Sequence, residues 1–335
     1  MTEFLMNYGL FLAETLTAVL AVLACAGGIV AILGRTQRHQ HREHLEVKHL
    51  NRHFEDLAFA VNSAMQSPKA RRKSFKLRRK QRKHETAQEA EQGRLFVLDF
   101  HGDIRASGVN ALREEVNAIL SVARDNDEVL VRLDSPGGLV HTYGLAASQM
   151  VRLKDKGLKL TVAVDKVAAS GGYLMACVAD RLLAAPFAII GSIGVVAQVP
   201  NFHRLLEKNQ VDYELFTAGE YKRTVTVFGE NTPEGKQKFQ AQLEDVHGLF
   251  KDFVATHRPQ LDLPTVATGE YWYGARALAL SLVDELQTSD DYLLAARERM
   301  AIYTLHYRGR KTLRERLGGA ARNWLGGLER WLPGG

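Results

Sequence analysis

The greater part of this sequence predicts an α/β fold. Short apolar runs rich in strand-forming residues recur at 94–100, 128–135 and 158–165. The segments between them, 108–123 and 138–157, have the composition and spacing of helices. Strands that alternate with helices usually pair in parallel through right-handed crossovers. The pattern therefore predicts a parallel sheet covered by helices.

Each predicted element has a local reason. The first helix carries apolar residues at helical spacing, and the second ends at Gly157. A longer helix is predicted over 231–259, because Thr232 and Pro233 form a typical helix opening. The apolar residues of this longer helix share one stripe: Phe239, Leu243, Val246, Phe250 and Phe253. Packing against the core or against another subunit explains such a stripe.

The N-terminus contains an uncharged apolar run of nineteen residues, 15–33. A helix of that length spans about 28 Å, close to the hydrocarbon thickness of a bilayer. A secretory signal normally starts with a basic region, whereas the residues before this run include Glu3 and no Lys or Arg. Cys25 faintly resembles the cleavage site of a lipoprotein signal, but eight mostly apolar residues follow it, which disfavours cleavage there. Residues 1–34 are therefore predicted to be an uncleaved N-terminal transmembrane helix.

The net charge of +6 is concentrated in one segment. Residues 69–83 contain ten Lys or Arg and no acid. A solvated juxtamembrane linker is the simplest interpretation of residues 35–92, and attachment to anionic lipid headgroups is a sharper one. Nucleic-acid binding is disfavoured because a single aromatic residue, Phe75, interrupts the basic run. Two cysteines in unrelated apolar runs indicate neither a disulfide framework nor a metal cluster.

Two glycine-rich turns follow consecutive predicted strands. One is "DSPGG" at 134–138, and the other is "AASGG" at 168–172. Chemistry in open parallel sheets gathers at the carboxyl ends of strands, and backbone N–H groups of glycine approach a ligand closely. The second turn contains Ser170, which makes this serine a candidate nucleophile next to a candidate oxyanion hole. The small residues around it are interpreted as leaving room for a substrate backbone.

A serine nucleophile needs a base to accept its proton. His141 and His203 are the nearest histidines, and an exposed or packed side chain is the simpler interpretation of His141. Lys222 lies in a polar, glycine-containing turn after an apolar run, and a lysine base must be desolvated to lower its pKa towards neutrality. By chemistry alone, Lys222 reads as a surface lysine. Composition does not decide which residue would act as the general base.

Four motifs and a closing segment decide the matter by resemblance. They are "DSPGG" (134–138), "AASGGYLMA" (168–176), "GSIGVV" (191–196), "GEYKR" (219–223) and "ATGEYWYGARALALSLVDEL" (267–286). In order and spacing they resemble the signal peptide peptidase A family of membrane-anchored Ser–Lys peptidases, most closely a branch of bacterial inner-membrane proteins. The similarity runs from Arg94 to Leu286. One departure is Ser281, where the family usually has glycine.

The resemblance implies a Clp-protease/crotonase-like fold of stacked ββα units that assembles into rings. It also implies Ser170 as nucleophile, Lys222 as general base and later acid, and Ser192 as the residue that orients the lysine. Gly138 and Gly171 would offer backbone N–H groups to the oxyanion. The helix over 231–259 would then lie near a subunit contact. No metal, nucleotide or other cofactor is needed for this chemistry.

The resulting organisation is a membrane anchor (1–34), a basic linker (35–92), a serine peptidase domain (93–300) and an amphipathic tail (301–335). The expected partners are a peptide or protein substrate, the membrane and further copies of the chain, with no nucleic acid. Two alternatives stay open: a crotonase-type acyl-CoA enzyme, which needs neither nucleophile nor lysine, and a non-catalytic membrane scaffold. A Ser-His-Asp triad of the Clp type is absent, because the chain has no histidine between His141 and His203.

The predicted location is the bacterial inner membrane, but the side is open. Basic residues after the apolar run place the domain in the cytoplasm by the positive-inside rule, whereas better-known members of the resembled family work on the periplasmic face. Residues 311–335 place leucine and tryptophan opposite arginine, as in a helix that lies in a membrane interface. Gly-Gly pairs at 318–319 and 326–327 weaken that pattern, so packing on a partner helix or a frayed tail is equally compatible.

Overall fold

The structure, a computed structural model, describes residues 6, 8–21, 44–67, 69–74, 76–77 and 93–309. By their contacts the residues divide into two units. One unit is Glu46–His306, and the other comprises the two ends of the chain, Met1–Leu45 and Tyr307–Gly335. The predicted α/β domain belongs to the first unit.

Strands and helices alternate through this domain as the sequence predicts. The described strands are β1 (His44–His49), β2 (Arg94–His101), β3 (Glu128–Asp134), β4 (Lys159–Val164), β5 (Val167–Ala169), β6 (Arg181–Ala184), β7 (Ile189–Gly191), β8 (Tyr271–Tyr273), β9 (Glu285–Leu286) and β10 (Ala301–Arg308). The described helices with fixed bounds are α1 (Leu50–Ala64), α2 (Val109–Val122), α3 (Val140–Asp155), α4 (Gly171–Ala176), α5 (His203–Lys208), α6 (Pro233–His257), α7 (Leu263–Val266), α8 (Gly274–Ala279) and α9 (Ser289–Ala296).

A seven-stranded sheet forms the centre, in the order β1-β10-β2-β3-β4-β6-β9. From β10 to β9 every neighbouring pair is parallel. A second, three-stranded sheet has the order β5-β7-β8, with β5 and β7 parallel. The α/β class and the parallel pairing predicted from the sequence are confirmed.

Helices cover both faces of the large sheet. On one face, Leu95, Leu130 and Ile302 of the strands are buried against α9, and the first turns of α1 pack there as well. On the other face, α2 contacts β2 and α3, and α3 contacts β4 and α4. Strands buried on both faces are nearly continuous apolar runs, which is why the segment "LFVL" of β2 does not alternate.

Two elements lie where the sequence predicts a linker and a tail. Residues 44–64 form β1 and α1, and Asn51 of α1 hydrogen-bonds to the backbone of Met300 and Ile302. Strand β10, which begins at Ala301, pairs with β2 from Arg94 to Val97. The folded domain thus takes in residues on both sides of the predicted 93–300 boundaries, because its sheet is completed by segments distant in sequence.

The predicted membrane anchor lies only partly within the described residues. Residues 8–21 are helical with exposed side chains, and 22–33 fall outside the description, as does the amphipathic tail from residue 310. Among the described residues, helices are all too short or too polar to span a bilayer. The anchor and the tail helix remain predictions.

Helix α6 confirms the predicted helix over 231–259. Thr232 caps it by accepting a hydrogen bond from the Gly235 N–H at 3.1 Å, and Pro233 occupies the first turn. Val254 is its one buried residue. The residues of its predicted apolar stripe are all half-buried: Phe239, Leu243, Val246, Phe250 and Phe253.

Candidate active site

The two glycine-rich turns meet in the structure. Ser135 forms a parallel bridge with Ala168: the Ser135 N–H donates to the Val167 carbonyl at 2.8 Å, and the Ala169 N–H donates to the Ser135 carbonyl at 3.1 Å. A Cβ added to Gly137 would lie 2.9 Å from the Ser170 Cβ, so the first turn passes directly against the serine. Gly137 also has φ +89°, a conformation that favours glycine.

Ser170 occupies a strained position between β5 and α4. Its φ is 51° and its ψ is −119°, values that a residue with a side chain seldom adopts. The Ser170 N–H donates to the Gly191 carbonyl at the end of β7 (2.8 Å), and its carbonyl accepts from the Leu174 N–H (3.0 Å). Such strain costs about 1–3 kcal/mol and persists only where the surroundings fix it, which is common at functional sites.

A cavity of about 410 Å³ opens beside the serine. Its walls come from α3, the two glycine turns, the loop after β7 and one side of α6. The residues that line it are Gly138, Val140, Tyr143, Gly144, Ala147, Ser148, Ser170, Gly171, Leu174, Gly194, Val195, Val246, Leu249, Phe250 and Phe253. Nearly all are apolar, so the cavity fits a hydrophobic group presented to Ser170.

Tyr143 holds the first turn in place, a role that the sequence did not suggest. It is fully buried, and its hydroxyl donates to the Asp103 carbonyl at 2.9 Å. The Ser135 hydroxyl oxygen lies 2.7 Å from the Tyr143 hydroxyl oxygen. Ser135 Oγ also accepts a hydrogen bond from the Gly137 N–H at 3.2 Å. Burial raises the pKa of Tyr143, which keeps the phenol protonated and able to donate. No pattern in the sequence links Tyr143 with Asp103, forty residues earlier.

The glycines around Ser170 are small for a different reason from the one the sequence suggests. A Cβ at Gly171 would overlap the ring of Tyr143, and one at Gly172 would overlap the Ser135 carbonyl. A Cβ at Gly138 would overlap the backbone of Ile104. The protein itself fills the space that the missing side chains leave, so the interpretation that these residues make room for substrate is wrong at these positions.

The remaining predicted residues lie differently. Ser192 directly follows Gly191, whose carbonyl accepts the hydrogen bond from the Ser170 N–H. Ser192 has φ 52°, and its own N–H donates to the Glu270 backbone carbonyl. Lys222 is exposed on a turn in which its own N–H donates to the Gly219 carbonyl at 3.1 Å. Neither Ser192 nor Lys222 is among the residues that line the cavity. The structure brings Ser170, Gly138 and Gly171 together in the wall of one cavity.

Among the described residues, the cavity lining contains no histidine, lysine or carboxylate. His141 is exposed on α3, and His203 Nε2 lies 3.9 Å from a carboxylate oxygen of Glu207. The expected dry surroundings of Lys222 are also missing from the single chain, since every residue of 211–223 is exposed. The single chain therefore presents Ser170 to a cavity whose described lining has no such group to accept a proton.

The closing segment has a structural role. Arg258, which is 3% exposed, donates to both carboxylate oxygens of Asp284 at 2.8 Å and to the Ser281 carbonyl at 3.0 Å. Asp284 also accepts from the Leu182 N–H at 2.7 Å. Ser281 has φ 58°, in the left-handed region, which explains physically why glycine is the usual residue there. Through Asp284, the closing segment connects β6 to the C-terminal end of α6.

A strained serine beside a glycine-rich turn and an apolar cavity is typical of hydrolases that act through a serine nucleophile. Comparison with known families assigns the chain: residues 3–150 match the N-terminal model of peptidase family S49, and residues 152–302 match the peptidase family S49 model. The chain belongs to this peptidase family. The resemblance to signal peptide peptidase A drawn from the sequence motifs is confirmed.

Individual relatives narrow the position within the family. The "Probable protease SohB" of Haemophilus influenzae is 51% identical over 330 residues, which cover 95% of this chain and 93% of that protein. The protein of the same name from Buchnera aphidicola subsp. Schlechtendalia chinensis is 46% identical over 307 residues, 88% of this chain and 99% of that protein. A third, from Buchnera aphidicola subsp. Acyrthosiphon pisum, is 56% identical over 223 residues, 67% of this chain and 66% of that protein. The chain is thus placed in the SohB branch of the family.

Proposed function

We propose that the protein is a membrane-anchored serine endopeptidase that uses a Ser170–Lys222 dyad. Ser170 attacks the scissile carbonyl while Lys222 takes the hydroxyl proton and later returns it to the leaving amine. The backbone N–H groups of Gly138 and Gly171 bind the oxyanion of the tetrahedral intermediate, and Ser192 orients the lysine ammonium. Water then hydrolyses the acyl-enzyme, and no metal, nucleotide or other cofactor takes part.

The observation that carries this proposal is the position of Ser170. It is half-buried, held in a strained conformation against the "SPGG" turn, and open to an apolar cavity that Gly138 and Gly171 also line. Backbone strain clusters at functional sites, which supports a functional role for this serine. A peptidase family assignment adds the reaction class, and the parallel sheet with its small second sheet is compatible with stacked ββα units of the Clp-protease/crotonase-like fold.

The cavity supports a substrate with an apolar side chain near the scissile bond. Val246 and Phe250 of α6 line it together with Val140 and Leu174, and the lining offers few polar groups. Peptides released from membranes and unfolded protein segments are rich in such side chains. We therefore propose membrane-released peptides or unfolded segments as the substrate class.

The lysine requires a rearrangement or a second copy. Lys222 is exposed, and it lies within a run, 211–223, that has no buried residue. Either this run closes over the cavity of its own chain, or Lys222 serves Ser170 of another copy in a homo-oligomeric ring. Both would surround the amine with apolar side chains, and such desolvation lowers the pKa of a lysine towards neutrality.

Inhibitor labelling tests the dyad. A fluorophosphonate probe is expected to label Ser170 stoichiometrically in the full chain, with loss of labelling in Ser170→Ala and a reduction of at least about a hundredfold in Lys222→Ala. Lys236→Ala is the matched control, because Lys236 is an exposed lysine on α6, whereas Lys238 lies over the Tyr221 ring at 4.7 Å. Equal labelling of Lys222→Ala and wild type would exclude Lys222 as the base.

Mixing the two inactive variants separates closure from assembly. If Lys222 acts on another copy, co-assembled Ser170→Ala and Lys222→Ala chains regain part of the peptidase activity. If it acts within its own chain, the mixture stays inactive. An intact oligomer that no serine-directed probe labels favours the non-catalytic scaffold, and turnover of acyl-CoA without labelling favours the crotonase-type alternative.

The membrane part of the proposal rests on residues 15–33 and on family resemblance. Anchored through this run in the bacterial inner membrane, the catalytic domain lies on one side of it. Protease treatment of intact spheroplasts resolves the side: degradation places the domain in the periplasm, and protection places it in the cytoplasm.

A further inference from the structure

The start of α1 is fixed to the folded domain. The Asn51 amide nitrogen donates to the carbonyls of Met300 (3.0 Å) and Arg297 (3.2 Å), and its oxygen accepts from the Ile302 N–H (2.8 Å). Leu50 and Phe54 pack against the core cluster of the large sheet. One side chain thus makes three hydrogen bonds to backbone that is distant in sequence, and the direction of the helix is determined.

The apolar stripe of α1 continues beyond the part of the domain that it covers. Leu57, Val61 and Met65 follow Phe54 at helical spacing, so they lie on the same side of the helix. Their exposed fractions rise along the chain: 53% for Leu57, 61% for Val61 and 81% for Met65. The second half of α1 is therefore an overhang with an uncovered apolar face.

A basic segment follows the overhang and is hydrogen-bonded to its end; its described residues, 69–74 and 76–77, are called the basic turn below. The Arg71 N–H donates to the Ser67 carbonyl at 2.9 Å, and the Ser74 hydroxyl donates to the Gln66 side chain at 2.8 Å. The helical residues that follow expose five cations, Lys69, Arg71, Arg72, Lys73 and Lys76, and the run from 69 to 77 contains no acid. Leu77 adds another exposed apolar side chain.

The acidic residues of α1 lie away from the apolar stripe. At about 100° per residue, Glu55 and Asp56 lie at least about 100° around the helix from Leu57 and Val61. Apolar side chains and cations are thus combined in residues 57–77 without interspersed negative charge on that side. This is the composition of helices that lie in the headgroup region of an anionic bilayer.

We propose that residues 57–77 form a lipid-docking surface, in which the overhang of α1 enters the headgroup region and the basic turn binds anionic lipid headgroups. Among the described residues of this surface, the exposed apolar side chains are aliphatic, and bases stack on aromatic ones, so lipid fits it better than nucleic acid. A second copy does not fit, because a two-fold contact would bring the five cations of each chain together. This docking is independent of the peptidase reaction.

An environment-sensitive label tests the docking in the full chain. NBD is attached to Val61→Cys in a Cys25→Ser background, since the remaining Cys177 is buried. Proteoliposomes contain phosphatidylglycerol with phosphatidylethanolamine, or phosphatidylcholine alone, and each set includes doxyl-labelled lipid as a quencher. We expect a blue shift and quenching in the anionic vesicles, and neither in phosphatidylcholine. Val122→Cys, at the end of α2, is the control and stays aqueous in both.

Neutralising the turn completes the test. Replacing Lys69, Arg71, Arg72 and Lys73 by glutamine is expected to lower the quenched fraction at Val61 by more than about tenfold, while thermal stability is unchanged because all four side chains are exposed. Leu57→Gln with Met65→Gln lowers it by removing the apolar half of the surface. A label that stays aqueous in anionic vesicles overturns the proposal, and so does quenching that the glutamine variant retains.

Two further outcomes overturn it in favour of another occupant. A blue shift that appears in detergent when single-stranded RNA is added, and not with vesicles, assigns the surface to nucleic acid. A blue shift in detergent that grows with protein concentration assigns it to a second copy of the chain.

Discussion

Ser170 lies where β5 and β7 meet the turn after β3, whereas Lys222 lies in a run, 211–223, in which every residue is exposed. The serine side is fixed by backbone hydrogen bonds, by the Tyr143 hydroxyl and by glycines in close contact with their neighbours. The lysine side carries exposed aromatic residues, among them Phe216 and Tyr221. In a single chain, the surroundings of the proposed nucleophile Ser170 are packed, whereas the surroundings of the proposed base Lys222 are exposed to solvent. Under the proposed mechanism, activity depends on a closure or an assembly step that covers Lys222 and the run around it.

The largest effect is expected from Gly171→Ala, which attacks the serine side. A Cβ there overlaps the buried Tyr143 ring, so the turn that carries Ser170 must move. Overpacking of this kind costs about 1–3 kcal/mol in the free energy of unfolding, and a displacement of about 1 Å lowers the rate about a hundredfold. Denaturant unfolding and the rate of Ser170 labelling measure the two effects.

Gly248→Ala is the control for that substitution. Gly248 lies within α6, and a Cβ there meets no other atom, so stability should rise by about 0.5–1 kcal/mol with labelling unchanged. Wild-type labelling of Gly171→Ala would show that the serine side is not rigid.

Phe216→Ala is expected to affect activity without affecting the fold of the single chain. Phe216 is 87% exposed, so the free energy of unfolding should change by less than about 0.5 kcal/mol. Peptide hydrolysis should fall about tenfold, since covering an aromatic side chain would stabilise the closed or assembled state by more than 1 kcal/mol, roughly. Val122→Ala, on an exposed residue elsewhere, should change neither quantity. Unaltered hydrolysis in Phe216→Ala would mean that this run stays open during catalysis.

Alkaline pH should destabilise the serine side. Burial raises the pKa of the Cys177 thiol on the C-terminal side of α4 from 9.0 to about 12. The stability that this shift contributes is fully present below pH 9 and is lost as pH rises towards 12, because the unfolded thiol then ionises first. The loss is about 1.4 kcal/mol per pH unit. Burial also raises the pKa of Tyr143 and Tyr173, which adds a loss of the same sign above pH 10.

Cys177→Ala isolates the thiol contribution. The variant should show a shallower decline of the free energy of unfolding between pH 9 and 11 than the wild type, whatever its stability at neutral pH. Denaturant titrations at several pH values measure the slopes. Parallel curves for the two proteins would contradict the assignment.

Tyr143→Phe should have a smaller effect than Gly171→Ala. The ring still packs against Gly171, but the bonds to Ser135 and to the Asp103 carbonyl are lost. Leaving those buried groups unpaired costs about 1–2 kcal/mol, and we expect Ser170 labelling to slow several-fold because the "SPGG" turn loosens. Tyr213→Phe on the exposed run is the matched control and should be neutral. A Tyr143→Phe protein with unchanged labelling would leave the hydroxyl with a purely structural role.

Ser281→Gly should have the smallest effect, and a favourable one. Glycine relieves the left-handed φ of 58°, partly offset by the greater freedom of the unfolded chain, so the free energy of unfolding should rise by about 0.5–1 kcal/mol. Labelling should not change, since Ser281 lies outside the cavity lining. A loss of stability would indicate that the substitution weakens the hydrogen bond from Arg258 to the carbonyl of residue 281.

Much of the serine side was predictable because its reasons are local. Apolar runs with intervening helical segments predicted the parallel sheet, and "DSPGG" and "AASGG" predicted turns at its carboxyl edge. Thr232 and Pro233 predicted the start of α6. Tyr143 was not predictable, because its partners lie in turns that only the fold brings together. The same holds for Asn51, which joins α1 to β10 across most of the chain.

The sequence by itself determined the fold class, the nucleophile candidate and the family, since strand and helix periodicity and the spacing of short motifs are properties of the chain alone. The tertiary structure decided why Gly171 and Gly138 are glycines, because close contact depends on which backbones are packed together. It also decided that Lys222 is solvated in the single chain. Desolvation is produced by neighbours in space, and those neighbours are absent from the sequence around residue 222.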